Sequence, residues 1–322
     1  MALTPFMSSQ PGLMFTLGLL TAAGAGAGSF SILVGATASR LAPEKRSFAA
    51  GFINAGGSLG QLVFAPLGQL VITAAGWGVA MFGLAAASLL TLPLAWPLRG
   101  KPAAASNTSI PIITAAPVEM TLREQLQLAS RDRRYWLLHL GLVTCGFHIA
   151  FLVTHLPGEI ALCGLQPSVA GASIALIGRF NVLGSLVAGA LGQRHRMKMI
   201  LAIMYASRAV MIVIYLMSPP TTITFYIFAA ALGFTWLATV APTAGLIGKL
   251  LGPRYLGTLF GLTLLSHQID GFFGAWLGGV AMECLGDYTW MWYAVVALAL
   301  IAAMANLPIR EKSPRLLPVG AR

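Results

Sequence analysis

Gly189-Ala190-Leu191-Gly192-Gln193-Arg194-His195-Arg196-Met197-Lys198 decides how this chain folds. Its three bases fall within five residues, between apolar runs at about 168–191 and 199–217. A run of roughly 20 mostly apolar residues can cross a bilayer as a helix. Short basic loops are poorly translocated, so a loop of this kind stays on the cytoplasmic side. Outward from it the arrangement recurs. All but two of the 20 Lys and Arg residues lie in five clusters. These are Arg40/Lys45/Arg46, the stretch from Arg99 to Arg134, Arg194/Arg196/Lys198, Lys249/Arg254, and Arg310/Lys312/Arg315/Arg322. If all five are on one side, each interval between neighbours holds an even number of spans.

Composition agrees. The chain is 57% hydrophobic and 9% charged, with a mean hydropathy of +0.80. Soluble domains carry about 25% charged residues, so the solvent for this chain is lipid. The net charge of +11 does not indicate a nucleic-acid partner. The bases sit in short loops between spans, without an aromatic-interleaved basic surface. Cys145, Cys163 and Cys284 are scattered, and the five histidines form no ligand cluster, so no disulfide framework, metal or cofactor is expected. Residues 1–10 lack the basic start of a signal peptide. No Ser/His/Asp set and no phosphate loop with Lys is present, which argues against an enzyme or an ATP-driven machine.

Nine spans are expected, at about 13–38, 48–74, 78–98, 135–156, 168–191, 199–217, 222–248, 255–281 and 287–307. The fold class is an all-α, polytopic transmembrane helix bundle. Each interval between basic clusters holds two spans. The opposite loops carry no base and hold Glu159, Glu283 and Asp287. The expected location is a cell (inner) membrane, multi-pass, with the C-terminus cytoplasmic. One span precedes the first cluster, so the N-terminus is expected outside, and upstream helices are expected to be missing or the start to be unusual. Residues 1–98 form an incomplete half-bundle of three spans and 99–134 a cytoplasmic linker. A half-bundle of six spans follows at 135–309, then a tail at 310–322. Residues 103–117 are rich in Ala, Ser, Thr and Pro, the composition of a flexible connection. Thr121 and Glu124 have the spacing of a capping box that starts a short helix.

The two parts echo each other. Arg40-Leu41-Ala42-Pro43, followed by Lys45 and Arg46, is matched by Lys249-Leu250-Leu251-Gly252-Pro253 and Arg254. A span rich in small residues follows each, with close-packing spacings at Gly56/Gly60, Gly257/Gly261 and Gly274/Gly278. Small residues let helix backbones approach in lipid. The run Gly24-Ala25-Gly26-Ala27-Gly28-Ser29 lies inside a span and is taken as another packing surface rather than a dinucleotide loop.

The stretch Gly189 to Lys198 also resembles the signature loop between the second and third helices of each half in major facilitator transporters, roughly G-x-L-A-D-R-x-G-R-K. Gln193 stands where that pattern has Asp. Gly189, Arg194, Arg196 and Lys198 are the loop positions the resemblance marks as conformational. Gly146-Phe147-His148, Thr154-His155-Leu156-Pro157, Gly178-x-Phe180-Asn181, Ser266-His267-Gln268 and Gly274 to Gly279 are similar to bacterial members of the monocarboxylate-porter-like branch. The resemblance implies twelve helices, six per half, with both termini cytoplasmic. The nine spans would then be helices four to twelve, without the first three. It also implies a cavity lined by the first, fourth, seventh and tenth helices. Monocarboxylate porters place an Asp and, four residues later, an Arg in the eighth helix. Asn181 and Ser185 stand there, so coupling through that pair is not carried over.

Two bases escape the clusters, Arg179 and Arg208, each about midway along a span. A charge at the bilayer centre costs roughly 2.5–3.5 kcal/mol on insertion scales, so each needs a partner or a wet cavity. Asp270 is the only acid inside a span. The surplus of positive charge motivates an organic-anion substrate bound at Arg179. The alternative is that Asp270 pairs with one Arg while the other reaches carbonyls. His148 and His155 share a helix face, as groups for anion or proton or as ties to a neighbouring helix. His267 and Gln268 are within a turn of Asp270, as a coupling network or as packing. Trp236, Thr235 and Thr239 face a cavity or the core. Asn54, Ser58 and Gln61 contact substrate or bond across helices, and Pro66 is a possible kink.

The leading expectation is a secondary active transporter of a small, monocarboxylate-like organic anion. It would be a monomer working by alternating access, with proton symport as a second expectation. Two other classes stand beside it: a truncated or degenerate relative without transport, and an efflux transporter of neutral or cationic compounds.

Overall fold

The computed structural model of the chain describes residues 1–38, 40–96 and 120–311. The expected connection at 103–117 and Lys312, Arg315 and Arg322 of the tail lie outside the described residues, as do the side chains of Gln61 and Pro66. All regular structure among the described residues is helical. The N-terminal group comprises α1 (Gln10–Leu13), a wider π-helical stretch (Met14–Thr21), α2 (Ala22–Ala27), α3 (Phe30–Ala38), α4 (Pro43–Ala75), α5 (Trp77–Leu89) and α6 (Thr91–Ala95). The C-terminal group comprises α7 (Leu122–Arg131), α8 (Arg133–Leu162), α9 (Pro167–Arg194), α10 (Met197–Met217), α11 (Thr222–Thr235), α12 (Val240–Leu251), α13 (Leu256–Leu285) and α14 (Thr289–Asn306).

Seven described helical stretches, rather than nine, are long and apolar enough to cross a membrane by length and composition. The remaining two expected spans, 48–74 and 255–281, fall in α4 and α13, of 33 and 30 residues. At 1.5 Å per residue both exceed the roughly 30 Å hydrocarbon core. Ser266, His267, Gln268 and Asp270 dilute the apolar character of α13. Three expected spans are also discontinuous. The first is interrupted near Gly28, 78–98 divides into α5 and α6 at Leu90, and 222–248 divides into α11 and α12 around four turn residues, 236–239. Conversely, α8 runs on through Pro157 to Leu162, shortening the loop expected there.

Local chemistry explains the boundaries. The Thr121 hydroxyl accepts from the Glu124 amide and the Glu124 carboxylate accepts from the Thr121 amide, so the capping box is present. Asp132 caps α8 by accepting from the Arg134 amide. Arg46 donates to the Ala38 and Leu41 carbonyls at the end of α3, at 2.9 and 3.2 Å, where orphan carbonyls favour a cation. The chain reverses at Gly76 and Gly252 with φ of 85° and 86°, which a Cβ would disfavour.

The basic clusters converge on one end of the bundle. Glu311 accepts from the Lys198 amide at 3.0 Å and from Lys249 Nζ at 2.8 Å. Lys198 Nζ donates to the Leu307 carbonyl at 2.7 Å, and Arg134 Nη1 to the Arg310 carbonyl at 3.3 Å. Ser47, next to Arg46, lies against Gly192 and Gly245. The turn at Thr4–Phe6 lies at the opposite end, where Pro5 is 3.7 Å from an ideal Cβ at Gly78 and Phe6 meets Phe82 at 5.9 Å. The parity of the spans demanded this separation of ends.

Glycine notches bring helices together. A Cβ at Gly146 would strike the His267 carbonyl and one at Gly274 the Phe147 carbonyl, which locks α8 to α13. Gly184 and Gly233 play the same part between α9 and α11, against Phe234 and Ile177. Gly257, Gly261, Gly274 and Gly278 all sit within 4 Å of a neighbouring helix, as their spacing implied. Gly56 and Gly60 do not among the described residues, nor do Gly24, Gly26 and Gly28. On α4 the close-packing residue is Gly51 instead, whose ideal Cβ would be 2.5 Å from the Ser185 carbonyl and 2.9 Å from the Gly189 Cα.

Candidate functional site: the contact between the helix groups

The two groups meet where α4 runs against α9 and α12, and where α3 runs against α13. The α4–α9 contact is antiparallel. From the basic end inward, Ser47 faces Gly192, Gly51 faces Gly189, Asn54 meets Ser185 and Ser58 meets Asn181. Gly189 of the signature loop therefore lets α4 close onto α9. Arg194 and Arg196 are exposed on the basic end, while Lys198 ties the loop to the end of α14.

Inside this seam lies a polar cluster of two Asn-x-x-x-Ser doublets, Asn54/Ser58 on α4 and Asn181/Ser185 on α9. Residues four apart share a helix face. Asn54 Nδ2 donates to Ser185 Oγ at 2.6 Å, and Asn181 Nδ2 donates to Ser58 Oγ at 2.6 Å. Both amides also engage the turn between α11 and α12. Asn54 Nδ2 donates to the Leu237 carbonyl at 3.1 Å, and the Leu237 amide donates to Asn181 Oδ1 at 3.0 Å. All four side chains are buried. The polar groups of one helix thus satisfy those of the other, which a buried amide requires.

Arg208 of α10 supports the same turn from the other side. It is fully buried. Its Nη2 donates to the Thr235 and Trp236 carbonyls, the latter at 3.0 Å, and Nη1 points to Cys145 Sγ at 3.7 Å. A continuous helix would give those carbonyls to the amides of Thr239 and Val240. Here the Val240 amide goes to the Leu237 carbonyl instead, and a guanidinium takes the vacated acceptors. Of the two fates open to the mid-span arginines, Arg208 meets the carbonyl one.

The remaining residues singled out from the sequence do not gather at one place. His148 is fully buried, and its Nε2 donates to the Val295 carbonyl of α14 at 2.6 Å. His155 Nε2 donates to the Ala275 carbonyl at 2.8 Å and lies against Tyr288 and Phe151. Both contacts are ties between helices. Trp236 is 6% exposed and belongs to the apolar core with Phe228 and Trp292. His267 is buried and donates from Nδ1 to Gln268 Oε1 at 3.0 Å. Asp270 is half-buried and forms no ion pair among the described residues, so the expected alternative of an Asp270–Arg pair is not realised.

Arg179 stands apart. It is exposed on a stripe of α9 with Gly171, Ala175, Leu183, Val187 and Leu191, away from the face that carries Asn181. Among the described residues it makes no hydrogen bond or ion pair. Leu237, Ser185 as a partner of Asn54, and Gly51 are not among the residues expected from the sequence. The recurrence of Asn-x-x-x-Ser on two spans was the signal that could have found the seam.

Residues 1–275 match the Major Facilitator Superfamily. The chain is 26% identical over 291 residues to a protein of Rattus norvegicus named Monocarboxylate transporter 13, a match covering 90% of this chain and 65% of that protein. It is 23% identical over 263 residues to the uncharacterized MFS-type transporter YcxA of Bacillus subtilis (strain 168), covering 79% of this chain and 62% of that one. The matches thus span less than two thirds of the length of these relatives.

Proposed function

The chain belongs to the major facilitator superfamily, and on that premise we propose that it acts in secondary transport of a small organic anion, a monocarboxylate in the first instance. The basic end is the cytoplasmic end. The two helix groups part and close along the α4–α9 seam, so that contacts made at the basic end here are broken in another state. Arg179 carries the substrate reading. A cation in a membrane helix without an anion from its own chain is costly, and a substrate carboxylate offsets that cost with charge-assisted hydrogen bonds. The name of the rat relative supports the same substrate class. Asp270, half-buried with His267 one turn before it, is the candidate for proton coupling.

Uptake of labelled lactate or pyruvate into proteoliposomes, with and without an inward acid gradient, tests the reading. The expected result is saturable uptake that Arg179→Ala lowers about 10-fold or more, from the loss of a ~1.5–3 kcal/mol bond to a charged group. Asp270→Asn is expected to retain exchange of the anion and lose its response to the gradient. Absence of uptake, together with unchanged binding of candidate acids to Arg179→Ala, would overturn the assignment.

A further inference from the structure

We infer that the two Asn-x-x-x-Ser doublets form a reciprocal clasp whose making and breaking sets how often the molecule is closed at its basic end. The inference rests on the alternating-access reading of the seam and is independent of the substrate.

Three observations carry it. Three of the clasp's four bonds join the two helix groups, and the fourth, from the Leu237 amide to Asn181, lies within the C-terminal group. Asn54 and Ser58 lie before residues 97–119, and Asn181, Ser185 and Leu237 lie after them. It is also built from neutral groups. An ion pair buried in such a seam would have to be dehydrated again at every closure, at a large cost. Amide and hydroxyl groups exchange protein partners for water at little net cost, which suits a contact that must part repeatedly. Finally, it has a geometric stop. Gly51 against Gly189, and Ser47 against Gly192, let the backbones approach until the four polar side chains meet, and no closer.

The Leu237 peptide gives the clasp its direction. Asn181 holds its amide from within the C-terminal group, and Arg208 fixes the two preceding carbonyls. These bonds survive when the groups part. Asn54 alone reaches the Leu237 carbonyl from the other group, and the Val240 amide still satisfies that carbonyl when Asn54 leaves. Opening therefore strands no backbone group. Asn181 and Arg208 are positioning residues for a docking point, and Asn54 is the part that comes and goes.

The test uses the whole 322-residue chain in lipid nanodiscs, with the accessible Cys163 and Cys284 changed to Ser and a reporter thiol placed by Ser47→Cys. Ser47 is 1% exposed inside the closed seam, so its labelling by a polar maleimide reads the open fraction. Asn54→Ala and Asn181→Ala are each expected to speed labelling about 3- to 20-fold, the range for one hydrogen bond between membrane helices. The exchange variant Asn54→Ser with Ser185→Asn restores an amide–hydroxyl pair across the seam and is expected to bring the rate back toward that of the parent. Thermal midpoints of all variants are measured alongside, because a general loss of packing would lower them and would not be reversed by the exchange. Unchanged labelling in both single variants, or an exchange variant that folds yet labels as fast as Asn54→Ala, overturns the clasp. No substrate enters these measurements, so failed anion uptake with clasp-dependent labelling refutes only the substrate assignment. Uptake that persists with clasp-independent labelling refutes only the clasp.

Discussion

Gly184→Ala is expected to leave little folded protein. An ideal Cβ at this position falls onto the Phe234 carbonyl and onto the carbon that bears it. Those atoms are backbone, so no side chain can swing away, and α9 and α11 must move apart. Gly233 on α11 makes the reciprocal approach, with its Cβ position 2.6 Å from the Ile177 carbonyl. Separating the helices therefore loosens both notches. Helices in lipid gain little from hydrophobicity and associate through such close contacts. Overpacking a tight contact costs about 1–3 kcal/mol when neighbours can give, and here they cannot, so the cost is expected to exceed ~3 kcal/mol. The check is the fraction of protein that elutes as a single species after graded heating. Gly178→Ala is the control on the same helix. Nothing among the described residues lies within 4 Å of its Cβ position, so the change is expected to be neutral or to gain up to ~1 kcal/mol from helix propensity. Similar loss in both variants would show that the notch at Gly184 is not what limits α9.

Much of the bundle was legible because a membrane constrains it so heavily. Apolar runs of span length had to be helices, and the parity of basic loops put them at one end, where Glu311 gathers Lys198 and Lys249. The capping box at Thr121 was legible because it is local. The break at 236–239 was legible only in part. Pro242 has no amide for the Ala238 carbonyl, which is a local signal, but the partner of the Thr235 and Trp236 carbonyls sits on another helix, in the guanidinium of Arg208. The seam was half legible. The spacing of Asn54 and Ser58 announced a polar face, yet which helix that face meets depends on the antiparallel register of α4 and α9, which no single-chain periodicity records. Histidines 148 and 155 show the same limit from the other side. Their chemistry admits proton or anion binding, and only the third dimension supplies the carbonyls of Val295 and Ala275 that occupy them.

The substitution at Arg208 expected to harm most is the one that keeps the charge. Arg208→Lys retains a cation in a site with no described anion beside it, so the cost of burying that cation remains. What it loses is the planar fork. A guanidinium serves the Thr235 and Trp236 carbonyls together and leaves Nη1 for Cys145, whereas a single ammonium on a shorter stem cannot hold the same spread of acceptors. Losing one bond to a charged group costs ~1.5–3 kcal/mol, and nothing offsets it. Arg208→Met strands both carbonyls, at ~1–3 kcal/mol each. It also removes the buried cation, whose insertion alone costs roughly 2.5–3.5 kcal/mol, so the two effects largely cancel. The expected order of thermal midpoints is therefore the parent, then Arg208→Met, then Arg208→Lys. Both variants should also label faster at Ser47→Cys, because a turn that loses its carbonyl partners no longer presents the Leu237 peptide squarely to Asn54. Were Arg208→Lys as stable as the parent, the positive charge rather than its forked hydrogen bonding would be what the fold requires. The forked bonds of Arg208 to the Thr235 and Trp236 carbonyls would then not be what holds the α11–α12 turn.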